Sequence, residues 1–545
     1  MTRKLAPGAA GLAWTALLLA AFLYPGLAHG AKKIKIIKPG ANPPQYAAFS
    51  RLLPKEERYR HALERLTFGP RPGDLDEIRR LGLDKWLNLQ LHPERVSENP
   101  VLTQRLQPYE SLRMSLRDVA LRYAQRPGPA GQIGKLPDDP VERRRAILAA
   151  NPPAVIAEDL EESKLLRAIY SNHQLEELLV DFWYNHFNVF WGKGQDRFYV
   201  PAYERDAIRP HVFGKFYDLL LATAQSPAML FYLDNWQSVG PNSFAARFAR
   251  GRNRRGLNEN YGRELLELHT LGVDGGYTQR DVIEVARCFT GWTLAPPRRG
   301  GGFEYNDRMH DKGPKMVLGH LIRAGGGMED GLEVLRILAH HPATAHHISF
   351  ELAQRFVADD PPPSLVNRMA ETFLKTDGDL RRVMETMLES GEFWSEGAYH
   401  AKLKTPFEMV VSVVRVTGAD VQSALPLARE TARLGEPLYR KVEPNGYANV
   451  NAEWASSAGL LERMNFALAV AQNRMPGVHV EPGYWEQLTQ GDPRQAEDLL
   501  LGEEASPQTQ AAIQQALQAT PQARPEQMLA LVAGLTLGSP EFQKR

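Results

Sequence analysis

Hydrophobic positions recur along most of the chain at helical spacing. The clearest run places Leu175, Leu178, Leu179, Phe182 and Trp183 at i, i+3, i+4, i+7 and i+8. That spacing brings all five side chains onto one face of a long helix. Alternation of apolar and polar residues, which is typical of strands, is scarce. We therefore predict a mainly α fold, a multi-helix globular arrangement.

The same spacing predicts a series of further helices. They are expected at residues 61–66, 74–81, 84–91, 157–187, 213–224, 259–271, 279–290, 330–340, 345–357, 364–375, 378–389, 403–416, 455–472 and 508–537. Thr278 with Asp281 three residues later predicts the N-cap of helix 279–290. Residues 295–327 are rich in glycine and proline and contain Phe303-Glu304-Tyr305. We expect a small β element there.

The helical pattern continues from residue 51 to residue 545, so we assign this range to one helical domain. Ser390-Gly391-Glu392-Phe393 resembles Ser539-Pro540-Glu541-Phe542, and each motif closes a helical pattern. The similarity keeps two helical lobes open as an alternative, with the C-terminal lobe starting at about residue 400. Chance similarity is the other explanation, because the shared core is only Ser-x-Glu-Phe.

The first thirty residues have the pattern of a secretory signal peptide. Arg3 and Lys4 precede an apolar run from Ala9 to Tyr24, and Ala28-His29-Gly30 supplies small residues for cleavage. The alternative is an uncleaved anchor, but the run is shorter than the ~20 residues that span a bilayer. We predict Sec-type export to the periplasm or medium. Residues 31–50 are expected to form a flexible basic lead-in.

Composition narrows the range of functions. Lys and Arg number 65 against 64 Asp and Glu, a net charge of +1, so we predict no nucleic-acid partner. Cys288 is the only cysteine, which excludes an intramolecular disulfide and cysteine-rich zinc or iron–sulfur sites. No segment after the signal peptide is apolar enough to cross a membrane, so no integral membrane segment is expected after cleavage.

The densest polar cluster runs from Asn258 to Gly272. On a helix, Asn260, Glu264 and Glu267 share one narrow face. Paired carboxylates of this kind could bind a hard metal ion or divide the roles of acid and base. A solvated helix face is the equally weighted alternative. We assign Glu264 and Glu267 as candidate catalytic residues.

The neighbours of the two carboxylates are candidates for substrate binding. We assign this role to Asn258, Asn260, Arg263, His269 and Trp292. His269 lies off the carboxylate face, so a metal site of two glutamates and a histidine on this one helix is geometrically poor.

His186 is the third candidate catalytic residue. It follows Leu179 by seven positions and Phe182 by four, so it continues an apolar stripe. A histidine in that position either lines a cavity or is hydrogen-bonded in the core, and the core is the more common outcome.

His310 and Asp311 are candidate metal ligands in the glycine-rich loop. A His-Asp pair suits metal ligation or general-base work, but adjacent loop residues need not point the same way. In the first of these roles the pair would bind a divalent metal ion. The sequence specifies no other cofactor. His340, His341, His346 and His347 form a second histidine tract, for which we favour surface positions over metal binding.

Several motifs in order resemble the bacterial family called domain of unknown function 1800. They are Leu66-Thr67-Phe68-Gly69-Pro70-Arg71-Pro72-Gly73-Asp74-Leu75, Phe182-Trp183-Tyr184-Asn185-His186-Phe187, the run from Asn258 to Gly272, Gly275-Gly276-Tyr277-Thr278-Gln279-Arg280-Asp281-Val282, Phe289-Thr290-Gly291-Trp292, His310-Asp311, His341-Pro342-Ala343-Thr344-Ala345, Phe356-Val357 and Lys404-Thr405-Pro406. The resemblance covers roughly residues 55–545.

The resemblance implies an exported bacterial protein, often encoded beside a second exported family, domain of unknown function 1501. It implies no established activity. Two positions depart from the pattern: Tyr184 stands where many relatives carry a second His or Asn, and Gly262 where Ala is usual. The first departure weakens a metal role for that turn.

Two functions follow as hypotheses. The leading one is an exported hydrolytic enzyme with a carboxylate site, with or without a metal, that acts on an extracellular or envelope substrate. The alternative is a non-catalytic binding or assembly protein that partners another exported protein, in which the carboxylates would form a structural network.

Overall fold

Helices form most of the regular structure, as the apolar spacing predicts. In the computed structural model, the described residues are 36–123, 152–248, 256–296, 299–501 and 505–545, with positions 137, 142–143 and 146–147. The predicted signal peptide lies outside these residues, as does the first part of the lead-in. Residues Ile34–Arg545 form one compact unit.

The N-terminal half of the described chain contains thirteen of the α-helices numbered here. They are α1 (Lys55–Leu66), α2 (Asp74–Leu81), α3 (Leu83–Leu91), α4 (Pro100–Leu106), α5 (Leu116–Tyr123), α6 (Pro152–Tyr170), α7 (Gln174–His186), α8 (Asp196–Ala202), α9 (Phe216–Ala224), α10 (Pro227–Tyr232), α11 (Phe244–Phe248), α12 (Asn260–Glu267) and α13 (Gln279–Cys288). A π-helical turn, Tyr203–Ile208, continues α8.

The C-terminal half continues the series. Its helices are α14 (Met328–Ala339), α15 (Pro342–Phe356), α16 (Pro363–Lys375), α17 (Leu380–Leu388), α18 (Pro406–Val416), α19 (Leu425–Arg433), α20 (Asn451–Trp454), α21 (Ser457–Ala471), α22 (Tyr484–Thr489), α23 (Pro493–Leu501), α24 (Pro507–Ala519) and α25 (Pro525–Leu537). Short 3₁₀ turns lie at Pro44–Ser50, Pro93–Arg95, Glu110–Arg113, Arg209–His211 and Asn235–Gln237.

Short antiparallel strand pairs interrupt the helices. β1 (Trp292–Leu294) pairs with β2 (Phe303–Tyr305), and β3 (Lys315–Val317) pairs with β4 (His320–Ile322). These pairs confirm the expected small β element around residues 295–327. A third pair, β5 (Asp420–Val421) with β6 (Val478–His479), was not expected. Two-residue strands are too short to leave an alternating pattern in the sequence.

Local capping explains several helix boundaries. Thr278 and Asp281 form a capping box at the start of α13, which confirms the predicted N-cap. The single helix predicted over 508–537 is two helices in the structure. The chain leaves helical geometry after Ala519 and re-enters it at Pro525, a residue that fits the first turn of a helix but not its interior.

Helix α7 is largely buried in the apolar core and positions polar groups at its C-terminal end. Its five-residue apolar stripe is buried, as the spacing predicts. The last turn of α7 carries Asn185 and His186, and Asn188 follows the helix. His186 and Asn188 are buried, and Asn185 is half-buried. Within the described residues, no helix combines the length and apolar character needed to cross a membrane.

The N-cap of α18 gives a direct test of this local structure. The Thr405 hydroxyl accepts a hydrogen bond from the backbone N–H of Glu408, and the Glu408 carboxylate accepts one from the N–H of Thr405. Substituting Thr405→Ala removes one half of the capping box, so we expect the free energy of unfolding to fall by about 1 kcal/mol. Thr405→Ser, which keeps the hydroxyl, should stay close to the parent. Urea unfolding followed by circular dichroism would measure both, and equal losses in the two variants would contradict the capping role.

Candidate functional site

Helix α12 presents two carboxylates on one side and packs its other side into the core. Tyr261, Leu265 and Leu266 are buried, while Glu264 and Glu267 are half-buried. The two glutamates are three residues apart, so their side chains are neighbours on the helix surface. The apolar residues thus fix the orientation of the helix, and the orientation holds both carboxylates at the boundary with solvent.

Glu264 is held in an environment that favours its neutral form. Partial burial and the nearby charge of Glu267 raise the pKa of Glu264, while Arg263 acts in the opposite direction. A carboxyl group with a raised pKa can retain a proton and donate it.

Two tyrosines complete the surroundings of the carboxylates. The Tyr277 hydroxyl donates a hydrogen bond of 3.2 Å to Glu267, and burial together with Glu267 raises the pKa of Tyr277 to about 12. Burial and the charge of Glu264 raise the pKa of Tyr232, whose hydroxyl donates to the backbone oxygen of Val442 at 2.6 Å. We call Glu264, Glu267, Tyr277 and Tyr232 the α12 carboxylate face.

Three predicted substrate-binding residues lie at or near the start of α12. Arg263 donates to Gln279 at 3.0 Å and forms an ion pair of 3.5 Å with Glu259. The side-chain oxygen of Asn258 accepts a hydrogen bond of 2.8 Å from the backbone N–H of Asn260, which is exposed. Arg263 is half-exposed. Asn260 and Arg263 lie on α12 together with the two carboxylates, and Asn258 lies two residues before the helix begins.

The other two predicted binding residues lie in the core. Trp292 is fully buried, and its ring packs in edge-to-face contact with Phe289 and Phe303. His269 is 2% exposed, and burial with the nearby charge of His186 lowers the pKa of His269 far below its usual range. Both side chains therefore belong to the packed core and do not reach the surface of the candidate site.

His186 has both ring nitrogens engaged. Its Nδ1 lies 2.6 Å from a carboxylate oxygen of Glu351, and its Nε2 lies 3.2 Å from the backbone oxygen of His269. A carbonyl oxygen only accepts hydrogen bonds, so Nε2 is the donor in the bond to His269. The other hydrogen bond is shared between Nδ1 and the carboxyl group of Glu351.

Glu351, on α15, is the negative partner in this cluster. Burial acts to raise its pKa, but the charge and hydrogen bond of His186 and the charge of His347 outweigh burial, and the pKa of Glu351 is lowered. His347 lies 3.6 Å from Glu351, four residues earlier on the same helix face. We call His186, Glu351 and His347 the histidine–glutamate cluster.

The structure brings His186 to the end of α12 through the backbone of His269. The side chain that His186 pairs with is Glu351 rather than Glu264 or Glu267. Glu351 is a site residue that was not predicted from the sequence, although His347 and Glu351 have the i, i+4 spacing of a helix face. The spacing could have predicted that His347 and Glu351 are neighbours on one helix. It could not predict the tertiary contact that brings Glu351 on α15 to His186 on α7.

His310 and Asp311 point to different partners. His310 is fully buried between the Thr290 carbonyl oxygen, 2.8 Å from Nδ1, and Asp330, 3.0 Å from Nε2. Asp311 accepts a hydrogen bond of 2.7 Å from Arg287 on α13. In the part of the chain that the structure describes, no group of three or more His, Cys, Asp or Glu side chains is arranged to hold a metal ion.

A small polar cavity beside α7 contains residues that the sequence did not single out. It has a volume of about 40 Å³ and includes Lys164, Asp181, Arg355, Glu436 and Tyr439 in its lining. Lys164 pairs with Asp181 at 2.6 Å. Burial and the charge of Asp181 raise the pKa of Glu436 to about 7. These partners come from segments far apart in sequence, so no local motif could predict them.

Comparison with known proteins identifies a family. A family model described as "Protein of unknown function (DUF1800)" matches residues 61–544. The match confirms the resemblance drawn from the ordered motifs. Neither a curated protein nor a solved structure matches the chain.

The pair of His186 and Glu351 should contribute to stability in a pH-dependent way. Because the folded-state pKa of Glu351 is lowered, its contribution is present above the ordinary glutamate pKa and is lost as pH falls through the folded value. Substituting Glu351→Gln leaves His186 without its anion, so we expect a loss of about 1–3 kcal/mol near neutral pH and a smaller loss at acid pH.

Unfolding midpoints measured from pH 3 to pH 7 would test this expectation. Glu371→Gln is the matched control, because Glu371 forms an exposed i, i+4 ion pair with Lys375 on α16. A difference between Glu351→Gln and the parent that stays constant over this range would contradict the assignment.

Proposed function

Since the chain belongs to the protein family of unknown function DUF1800, we propose from its own residues that it is an exported enzyme that hydrolyses an extracellular or envelope substrate. The carboxyl groups of the α12 carboxylate face are its proposed acid and base. The observation that carries the proposal is the pair of half-buried carboxyl groups, Glu264 and Glu267, three residues apart on one side of α12. Burial and the charge of Glu267 raise the pKa of Glu264, which supports a proton-donating role for it.

Different environments for two neighbouring carboxyl groups support different roles for them. Glu264, whose pKa is raised, is the proposed general acid and protonates the leaving group as the substrate bond breaks. Glu267, which accepts a hydrogen bond from Tyr277, is the proposed base that takes a proton from the attacking water. Asn258, Asn260 and Arg263 lie on α12 or just before it and are proposed to bind the substrate.

His186 enters the proposal in a positioning role. Its hydrogen bond to the backbone oxygen of His269 fixes the chain just after α12, and its ion pair with Glu351 ties this point to α15. The buried His269 and Trp292 are proposed to support the same region from the core. Binding of a divalent metal by His310 and Asp311 stays a prediction, separate from the α12 carboxylate face.

Export is proposed from the N-terminal sequence. The positive start, the apolar run and the small residues at 28–30 support a cleaved Sec-type signal peptide, and therefore a mature protein in the periplasm or medium. A substrate in that location would be an extracellular or envelope molecule.

A second candidate function is supported by the pairing of the buried polar groups. Both nitrogens of His186 and both side chains of the His310-Asp311 motif are engaged by protein groups. Such pairing is what a structural network requires, and it fits a non-catalytic protein that binds another exported protein. In that case the Glu264 and Glu267 carboxylates would belong to a structural network that locks helices together.

A hydrolysis screen with matched variants tests the leading proposal. The full chain, exported and purified from the culture, would be assayed against polysaccharides, esters and phosphoesters. We expect Glu264→Gln and Glu267→Gln to lower the rate on the responsive class by about 10²–10⁴-fold, because each removes a proton-transfer group. Glu371→Gln, on an exposed face of α16, should keep the parental rate.

Stability separates loss of chemistry from loss of fold. Glu264→Gln also removes a like-charge contact with Glu267, so its free energy of unfolding should equal the parent's or exceed it by about 0.2–0.5 kcal/mol. A folded Glu264→Gln protein with the parental rate would exclude the proposed general acid. A parent chain inactive on every class would favour the binding function.

A further inference from the structure

A second cavity, larger than the one beside α7, lies near α4 and α6. Its volume is about 490 Å³, within the range of about 300–1,000 Å³ that is typical of small-molecule sites. It is bounded by α4, the Glu110–Arg113 turn, α6, α8 and the π-helical turn. None of its lining residues belongs to the α12 carboxylate face or to the histidine–glutamate cluster.

Part of the lining of this cavity is apolar. It is formed by Leu102, Leu106, Leu112, Leu160 and Pro201. Leu102 and Leu160 are buried in the core, and Leu106 and Leu112 are half-buried. A surface of this kind gains free energy by covering an apolar body, in proportion to the area removed from water.

Four arginines line the same cavity, and two of them have a carboxylate of their own. Arg209 binds both carboxylate oxygens of Glu177, at 2.8 and 2.9 Å. Arg205 binds both oxygens of Asp206, at 2.6 Å each. Their charges are therefore neutralised within the protein.

Arg113 and Arg167 are the two remaining arginines. The Arg113 guanidinium donates to the backbone oxygens of Leu106 and Gln107, at 3.0 and 2.6 Å, and carbonyl oxygens do not neutralise its charge. The carboxylate near Arg167 is Glu177, at 4.0 Å, and Arg209 already holds both of its oxygens.

The carboxylates in the lining are held by other groups. Glu98 accepts hydrogen bonds from the backbone N–H groups of Asn99 and Asn172 and from the hydroxyl of Ser171. Glu204 accepts a hydrogen bond of 2.6 Å from the hydroxyl of Tyr439. Each also has a basic partner other than Arg113 and Arg167: Glu98 lies 3.8 Å from Nδ1 of His173, and Glu204 lies 3.5 Å from the Arg209 guanidinium.

We propose that this cavity binds an amphipathic organic anion, with a carboxylate or phosphate head on an apolar acyl or aromatic body. Arg113 and Arg167 bind the head, because guanidinium groups pair strongly with such oxyanions. The apolar lining residues, four leucines and Pro201, cover the acyl or aromatic body of the ligand. The site is independent of the proposed hydrolytic reaction, and no residue is shared between the two.

Calorimetric titration with three short-chain probes tests the proposal. Octanoate and octyl phosphate carry the two oxyanions, and octyltrimethylammonium carries the opposite charge on the same chain. We expect at least one anion to bind the exported full-length protein at one site and the ammonium probe to bind at least tenfold more weakly. The stronger of the two anions identifies the head group.

Variants locate the binding. The double substitution Arg113→Gln and Arg167→Gln should weaken anion binding at least tenfold. Arg51→Gln is the control, because Arg51 is exposed and paired with Glu396 elsewhere on the surface. Thr103→Trp, at an exposed lining position on α4, should block the cavity and abolish binding without touching either arginine.

Three results would overturn the site: no anion binds, the ammonium probe binds as tightly as the anions, or the arginine and Thr103→Trp variants bind like the parent. Glu264→Gln should bind the probes normally whether or not it loses hydrolytic activity. Failure of the proposed binding site can therefore be distinguished from failure of the proposed function.

Discussion

Polar groups at the C-terminal end of α7 are removed from water, and each must find a partner inside the protein. Asn185 makes two hydrogen bonds of 2.7 Å with the backbone of Tyr447, and Asn188 donates to the backbone oxygens of Lys441 and Glu443. An unpaired buried group costs about 1–3 kcal/mol, so these bonds hold the 441–447 loop against α7. The loop lies so close to α7 that a Cβ on Gly446, whose φ is +66°, would be 2.3 Å from the backbone oxygen of Asn185.

The need to pair buried polar groups also determines the contacts of His186. His186 is paired with Glu351 and with the backbone after α12, so one buried ring joins α7, α12 and α15. Glu264 differs from these groups, because burial and a like charge raise its pKa. Proteins tolerate such local destabilisation at sites of chemistry, where it supplies reactivity. Because of that contrast, we propose a structural role for the end of α7 and a chemical role for α12.

The sequence predicted local features better than tertiary ones. Helical spacing identified the buried stripe of α7, Thr278 and Asp281 identified a cap, and the glycine-rich segment identified the first strand pairs. Each of these depends on residues close in the chain. The partners of His186 and His310 are Glu351 and Asp330, and which acidic residue meets which histidine depends on how the helices pack.

Some features of the candidate site could likewise be predicted from the sequence, and others depend on tertiary packing. The shared face of Glu264 and Glu267 follows from a three-residue spacing and could be read from the sequence, as could the core position of His186. The contribution of Tyr277 and Tyr232 to that face could not, because the turn after α12 and the end of α10 reach it only in the folded chain. The burial of Trp292 was likewise hidden, since a three-residue strand gives no pattern of exposure.

Burial and the neighbouring charge of Glu267 raise the pKa of the Glu264 carboxyl, and the proposed chemistry of α12 depends on this shift. Infrared difference spectroscopy of the carboxyl stretch, comparing the parent with Glu264→Gln across a pH titration, measures the pKa of Glu264 directly. We expect Glu264 to titrate above the ordinary glutamate pKa of about 4.3, and Glu267→Gln to move its titration to lower pH. A Glu264 carboxyl that titrates at or below the ordinary value, or is unaffected by Glu267→Gln, would contradict this expectation.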